Sequence, residues 1–366
     1  MSGNAAVFVS TPAQAHFYKN IIKELKNRGN KVHILAREYG ETLEILESEG
    51  FDYYVFSSPP PGAIKVLKLP EDILRAVRWL KNKNIDVVTG FEIYGAYVSK
   101  LISAPYVQFY DSEPDVHNLL RVQYKFMLPF TTVIITPQSF KRDLGKKHVR
   151  VNSYKELAYL HPDYFTPDSE IYNKLGLKKG EDYAIIRFNA FDAVHDKGIS
   201  GFSRELKVKL VREIKKYVPV FVSSEAPIPP EIQDAKLPTK KNEIHDVLYY
   251  AKLLVTDTQT MATEAAILGT PTIRSNKFVG SKDMGNFIEL QERFGLLFNI
   301  PNPEKAIEKA IEIARSESVK KEWCEKREKL LKEKTDITSF MVWFIENFPE
   351  SMNEFKQNPD VPFIFR

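Results

Sequence analysis

Residues 253–274 read LLVTDTQTMATEAAILGTPTIR, and the reading of this stretch decides the fold. Leu253, Leu254 and Val255 form an apolar run too short for a helix and suited to a buried strand. Thr256, Asp257, Thr258 and Thr260 follow, all of them residue types that cap helix N-termini. Residues 261–268 are rich in helix formers. Gly269 stands where the left-handed residue after a helix belongs. Pro271 blocks continuation, and Thr272-Ile273 opens another strand. The unit is strand–helix–strand. Its first loop lies at the carboxyl end of a strand, where open α/β sheets bind ligands.

The chemistry of that loop suits a sugar nucleotide. Free N–H groups at the helix start, with the Thr258 and Thr260 hydroxyls, can hold a diphosphate. Glu264 lies about one turn into the helix, where a carboxylate can accept from both hydroxyls of a ribose. Ala262, Ala265 and Ala266 are small and let the helix lie close to a sheet. A plainer alternative stands beside this one: Asp257 and the threonines only cap the helix, and Glu264 is solvated.

The run Asp257-Thr258-Gln259-Thr260-Met261-Ala262-Thr263-Glu264-Ala265-Ala266, followed by Leu268-Gly269-Thr270-Pro271, resembles the donor-site signature of two-domain glycosyltransferases and of non-hydrolysing UDP-N-acetylglucosamine 2-epimerases. It is more similar still to a little-characterised prokaryotic family of predicted glycosyltransferases related to both. The likeness runs upstream through Ile244-His245-Asp246-Val247-Leu248-Tyr249-Tyr250-Ala251 and downstream through Arg274 and Phe278-Val279-Gly280. The resemblance implies two Rossmann-like domains facing a cleft, the glycosyltransferase-B architecture. It also implies that the backbone at Ile244 and His245 reads the base. In the epimerases two glycines follow the Asp-Ser pair, and here Gln259 and Thr260 replace them, so a different grip on phosphate is expected.

The whole chain sets bounds. At 366 residues, length suggests about two domains. A hydrophobic share of 43% and a charged share of 27% are those of an ordinary globular chain, not a disordered one. The net charge of +4 is too small to argue for nucleic acid. The single cysteine, Cys324, excludes an internal disulfide and suits a reducing compartment. No run reaches the roughly 18 apolar residues of a membrane span, and the apolar start at 5–9 is a strand's length, not a signal peptide. The expected location is cytoplasmic, with any membrane contact peripheral to the inner face.

The first half alternates strand and helix. Residues 5–9 read as a strand, 16–28 as a helix ending at Gly29, and 31–36 as the next strand, an opening that implies a parallel sheet. The first loop lacks G-x-G-x-x-G, so a dinucleotide cofactor is not expected. In the related enzymes this loop faces the cleft, which makes His16 a candidate base or phosphate contact. The segment 70–83 reads as an amphipathic helix with Arg75, Arg78, Lys81 and Lys83. It is either a helix with a solvated basic face or a patch for an anionic lipid surface. A strand at 106–110 ends on Asp111-Ser112-Glu113. The related epimerases carry an acidic residue important for chemistry at the matching position, and the predicted-transferase family a similar Asp-x-Glu. Asp111 and Glu113 are therefore candidate bases, with Asp111 as a helix cap the alternative. His117, Arg121, Tyr124 and Lys125 follow on a helix. The last strand of this half is expected at 132–136, and the linker near 160–170.

The second half repeats the pattern. A strand at 183–186 ends on Arg187, a bidentate donor suited to phosphate. The loop at 187–202 holds His195, Asp192 and Asp196, but neither the Gly-rich transferase loop nor the histidine loop of the epimerases is intact. No Asp-x-Asp pair or ligand-spaced histidine cluster appears, so no metal is expected.

These readings place an acceptor-side domain at 1–165, a nucleotide-sugar domain at 166–335 and a returning helix at 336–366. The implied activity is metal-independent transfer from a nucleotide sugar, UDP-linked by resemblance, to a glycan or lipid acceptor, with no cofactor beyond the donor substrate and no nucleic-acid partner. His16, Asp111 and Glu113 are the candidate catalytic residues. Arg187, Ile244, His245, Thr258, Gln259, Thr260, Glu264 and Arg274 are the candidate donor-binding residues. A UDP-sugar 2-epimerase and a non-catalytic nucleotide-sugar-binding protein are the alternatives.

Overall fold

The structure is a computed structural model that describes residues 3–58, 68–115, 118–189, 201–280 and 283–365. It divides into two compact units, Met1–Tyr164 with Lys334–Arg366 and Phe165–Glu333. Each is built on one parallel sheet.

The first unit holds β1 (Asn4–Val9), β2 (Lys31–Arg37), β3 (Tyr53–Ser57), β4 (Val87–Gly90), β5 (Tyr106–Phe109), β6 (Val133–Pro137) and β7 (His148–Val151). Their order is β3-β2-β1-β4-β5-β6-β7, and every pairing is parallel. The helix Pro12–Asn27 starts earlier than its apolar pattern because the Thr11 side chain accepts from the Gln14 N–H and Pro12 fits a first turn. β7 lies beyond the strand expected to be the last of this half. Its sequence, HVRV, alternates half-exposed with buried residues, as an edge strand does, and so reads as loop.

Right-handed crossovers put helices on opposite faces according to the direction in which the order moves. One face carries Pro12–Asn27, packed against Thr42–Ser48, Leu157–Leu160 and Ile337–Glu346. The other carries the series Leu69–Leu80, Ile93–Leu101 and Asn118–Met127, each packed on the next. The expected single returning helix is two, Ile337–Glu346 and Glu350–Gln357, and the earlier of them roofs the first face with Phe340 and Phe344, both at 0% exposure. Full burial of one such side chain contributes about 1.5–3 kcal/mol.

The second unit holds β8 (Ala184–Phe188), β9 (Val220–Ser224), β10 (Leu253–Thr256), β11 (Thr272–Arg274) and β12 (Leu297–Asn299). The order is β12-β11-β10-β8-β9, again parallel. The stretch that opened the sequence reading forms β10, the helix Thr260–Leu268 and β11. Gly269 closes the helix in the left-handed region at φ 82°. Arg327 Nε donates to the Ile267 carbonyl at 3.0 Å, satisfying one of the carbonyls a helix end leaves open.

Both sheets have a point where strand order reverses. In the first unit it lies between β1 and β4, and in the second between β8 and β10. Crevices outside the carboxyl ends of strands at such points are where open α/β sheets take ligands.

Candidate functional site

At the reversal in the second unit, β8 delivers Arg187 and β10 delivers Asp257 and Thr258. The helix Thr260–Leu268 then begins with Gln259 at its cap position, in an αR conformation and without a side-chain cap bond. The expected capping threonines are used elsewhere: the Thr256 hydroxyl accepts from the Thr258 N–H at 2.9 Å and bonds the Thr258 hydroxyl at 2.7 Å. Among the described residues no side chain caps this helix start, and its first-turn N–H groups carry the positive end of the helix dipole. Thr260 is exposed, and Thr258 and Gln259 are half-buried.

Asp257 sits just behind that helix start and is 1% exposed. Its Oδ1 accepts from the Asn189 N–H at 2.7 Å, and its Oδ2 has no hydrogen-bond partner among the described residues. A Cβ on Gly201 would fall 2.0 Å from Oδ2, so only glycine lets the chain close over the carboxyl. Burial pushes the Asp257 carboxyl up to about 6, against the Asn189 N–H and the Lys207 charge. Arg187 donates Nη1 to Ser223 Oγ at 2.7 Å and pairs Nη2 with Glu225. Glu225 is 46% exposed and Arg187 19%, so solvent reaches the carboxylate side of the pair and weakens it. A phosphate arriving at this strand end would compete with Glu225 for Arg187.

The sequence placed His245 and Glu264 as separate contacts, and the structure brings them together. His245 begins the second position of the helix Ile244–Tyr250, with Ile244 half-buried at its start. His245 Nε2 lies 3.1 Å from Glu264 Oε1, and both residues are buried.

Arg274 does not join this set. It is 0% exposed, donates to Asp283 at 3.0 Å and to Asn299 at 2.9 Å, and stacks 3.6 Å above the Phe287 ring. The expectation that it is a donor-binding residue is not supported by this sealed pairing. It holds β11, β12 and the helix Gly285–Glu292 together.

In the first unit, Asp111 follows β5 and pairs its Oδ2 with Lys155 Nζ at 2.5 Å. Glu113 is 4% exposed. His16 stacks on Tyr159 with ring centroids 5.1 Å apart. Arg121 pairs with Asp115 at 3.1 Å, and Tyr124 packs against Tyr110. His117 and the residues 190–200, including His195, lie outside the described residues.

Sequence reasoning missed Glu92. It occupies the N-cap position of the helix Ile93–Leu101, without a side-chain cap bond, just after β4 at the reversal beside β1. Gln14 Nε2 donates to Glu92 Oε1 at 3.0 Å, and the Ser10 N–H donates to Gln14 Oε1 at 2.7 Å. Burial raises the Glu92 carboxyl above the usual range, opposed by the Gln14 bond and the Arg37 charge. The available signal was a glutamate two residues past the strand end Gly90. Among the described residues no group of three or more His, Cys, Asp and Glu is arranged to hold a metal.

The family model described as "Protein of unknown function (DUF354)" matches residues 7–283. No curated protein matches the chain. Similar solved structures include the UDP-GlcNAc 2-epimerase of Methanocaldococcus jannaschii, at 14% identity and TM-score 0.63, covering 86% of this chain and 93% of that one. The Neisseria meningitidis UDP-GlcNAc 2-epimerase bound to UDP-GlcNAc is similar at 10% identity and TM-score 0.60, with 89% and 100% covered. The calicheamicin glycosyltransferase CalG4 is similar at 14% identity and TM-score 0.57, with 98% and 100% covered. At these identities the likeness is one of fold. The chain has two Rossmann-like units of the glycosyltransferase-B class.

Proposed function

The chain belongs to the DUF354 family, and from that premise we propose that it is a glycosyltransferase taking a UDP-linked sugar as donor and a glycan or lipid hydroxyl as acceptor. The observation that carries this reading is the uncapped start of the helix Thr260–Leu268 at the strand-order reversal. Its N–H groups, the Thr260 hydroxyl and Arg187 neutralise the diphosphate as the bond from the anomeric carbon to oxygen breaks. Glu264, held by His245, accepts from the ribose, and the backbone at Ile244 and His245 meets the base. The acceptor hydroxyl gives its proton to a carboxylate base, and its oxygen forms the new bond to the anomeric carbon. Glu92 and Asp111 lead the candidates for that base, with Glu113 and His16 behind them. Solved neighbours named for UDP-GlcNAc and for glycosyl transfer support the substrate class.

A thermal-shift panel of nucleoside diphosphate sugars tests the reading. A ligand at about 100 times its dissociation constant adds about 2.7 kcal/mol, so a UDP-sugar should raise the melting temperature by a readily measured amount, and chelator should leave that shift intact. Loss of the shift in chelator counts against the metal-free site. Glu92→Gln or Asp111→Asn should lower transfer by roughly 10²–10⁴-fold at nearly constant UDP affinity.

One observation favours a second reading, a UDP-sugar 2-epimerase. Glu92 carries a raised carboxyl that can hold a proton, one half of the acid and base pair that inversion at C2 needs. The two readings separate in heavy water. An epimerase exchanges deuterium into C2 of a UDP-N-acetylhexosamine with no acceptor present, and a transferase does not.

A further inference from the structure

The first unit has one roofed helical face and one open one. The open face, formed by the helices Leu69–Leu80, Ile93–Leu101 and Asn118–Met127, carries four of the large hydrophobic side chains that the described residues leave exposed. Leu74 is 48% exposed, Leu101 57%, Val122 50% and Phe126 60%. The remaining three, Tyr39, Tyr217 and Ile364, lie on other elements. Singly exposed apolar residues need no explanation, but several on adjacent packed helices mark an interaction surface.

The three helices that carry these side chains pack side by side. Tyr97 Oη donates to the Phe126 carbonyl at 3.4 Å, and the Tyr97 and Phe130 rings sit 4.8 Å apart. This joins the third helix to the second, and Leu101 is one turn along from Tyr97. The first helix buries Asp72, Ile73, Ala76 and Leu80. Leu74 therefore lies on its outer side, on the same stripe as Arg78 and Lys81 at the i+4 and i+7 positions.

Charge decides what fits. Arg78, Lys81, Lys100 and Lys125 are exposed and make no ion pair among the described residues. The one exposed carboxylate on the three helices, Glu71, is already taken by Arg75 at 2.9 Å. Apolar side chains standing among unpaired cations match a surface that offers hydrocarbon below a layer of negative headgroups. A second copy of this chain would set the same cations against one another. No helix among the described residues is long and apolar enough to cross a membrane, so the contact is peripheral.

We propose that this three-helix face docks the protein on an anionic lipid bilayer, with Leu74, Leu101, Val122 and Phe126 entering the headgroup boundary. The proposal stands apart from the donor chemistry and needs no assumption about the reaction.

Co-sedimentation of the full chain with vesicles tests it. Phosphatidylcholine vesicles rich in phosphatidylglycerol should bind the protein, pure phosphatidylcholine vesicles should not, and high salt should release it. Arg78→Glu with Lys81→Glu should weaken partitioning by about tenfold or more. Leu74→Ser with Phe126→Ser should weaken it to a similar extent, and because all four residues are exposed, both pairs should keep the wild-type melting temperature. Absence of binding to the anionic vesicles overturns the proposal, as does equal binding to neutral ones. Undiminished binding by both folded variants overturns it too. So does a concentration-dependent dimer that the same variants abolish, because it makes the face a protein interface.

Discussion

Asp257 is a carboxyl at the candidate site whose chemistry departs well away from its type. An unperturbed aspartate titrates near 3.8, and burial moves this one to about 6. Between those values the folded chain holds a proton that the unfolded chain has lost, so stability falls as pH rises across that window. At about 1.4 kcal/mol per unit, the cost reaches roughly 3 kcal/mol above pH 6. Asp257→Asn keeps the acceptor for the Asn189 N–H and removes the titration. Urea unfolding from pH 4 to pH 7 should therefore show the variant gaining on wild type as pH rises, and parallel curves would contradict the assignment. The sequence named Asp257 only as a cap, because its burial comes from Gly201, 56 positions away in the chain. Arg187 and Arg274 show the same limit. Both lie near the carboxyl end of a strand of one sheet, and both read as donor-binding residues. Their partners separate them: an exposed Glu225 for one, a buried Asp283 for the other. Glu92 was missed because its position past a strand end is a weak signal and Gln14 meets it only across 78 positions.

At the scale of elements, local rules were enough wherever the signal was local. β10, the helix after it, its glycine stop and β11 all stand where residue types placed them. Gly269 is the clearest case, since its φ of 82° is one that side chains resist and a Cβ there would come within 2.8 Å of Arg327 Cδ. Gly269→Ala should cost about 1–2 kcal/mol in denaturant unfolding, and a neutral result would mean the helix end relaxes freely. The start of that helix was harder to read. Residue types promised a side-chain cap, and the fold directs the Thr256 and Thr258 hydroxyls to each other. β7 was missed for a related reason. Four residues at a sheet edge, half of them outward, carry too little pattern to outweigh the polar segment around them.

For the whole molecule, the alternation of strands and helices conveyed two Rossmann-like units, because the pattern repeats along the entire chain. The second unit is one continuous segment, Phe165–Glu333, with its own sheet and its own candidate donor site. A fragment of that segment should fold cooperatively and retain UDP-sugar affinity within about tenfold, since a compact domain with its own core can fold alone. Loss of affinity in a folded fragment would mean that groups outside it grip the donor. The central claim is that the open start of the helix Thr260–Leu268 holds a diphosphate. Thr260→Asp tests it, because a carboxylate in the first turn steadies the helix dipole by about 0.3–1 kcal/mol yet repels a phosphate. The deciding measurement is calorimetric titration of UDP-GlcNAc into wild type and Thr260→Asp, with the melting temperature of each. The account predicts saturable binding to wild type and binding at least about tenfold weaker to a variant that melts no lower. Equal affinities, or no binding of any nucleoside diphosphate sugar to wild type, would contradict it.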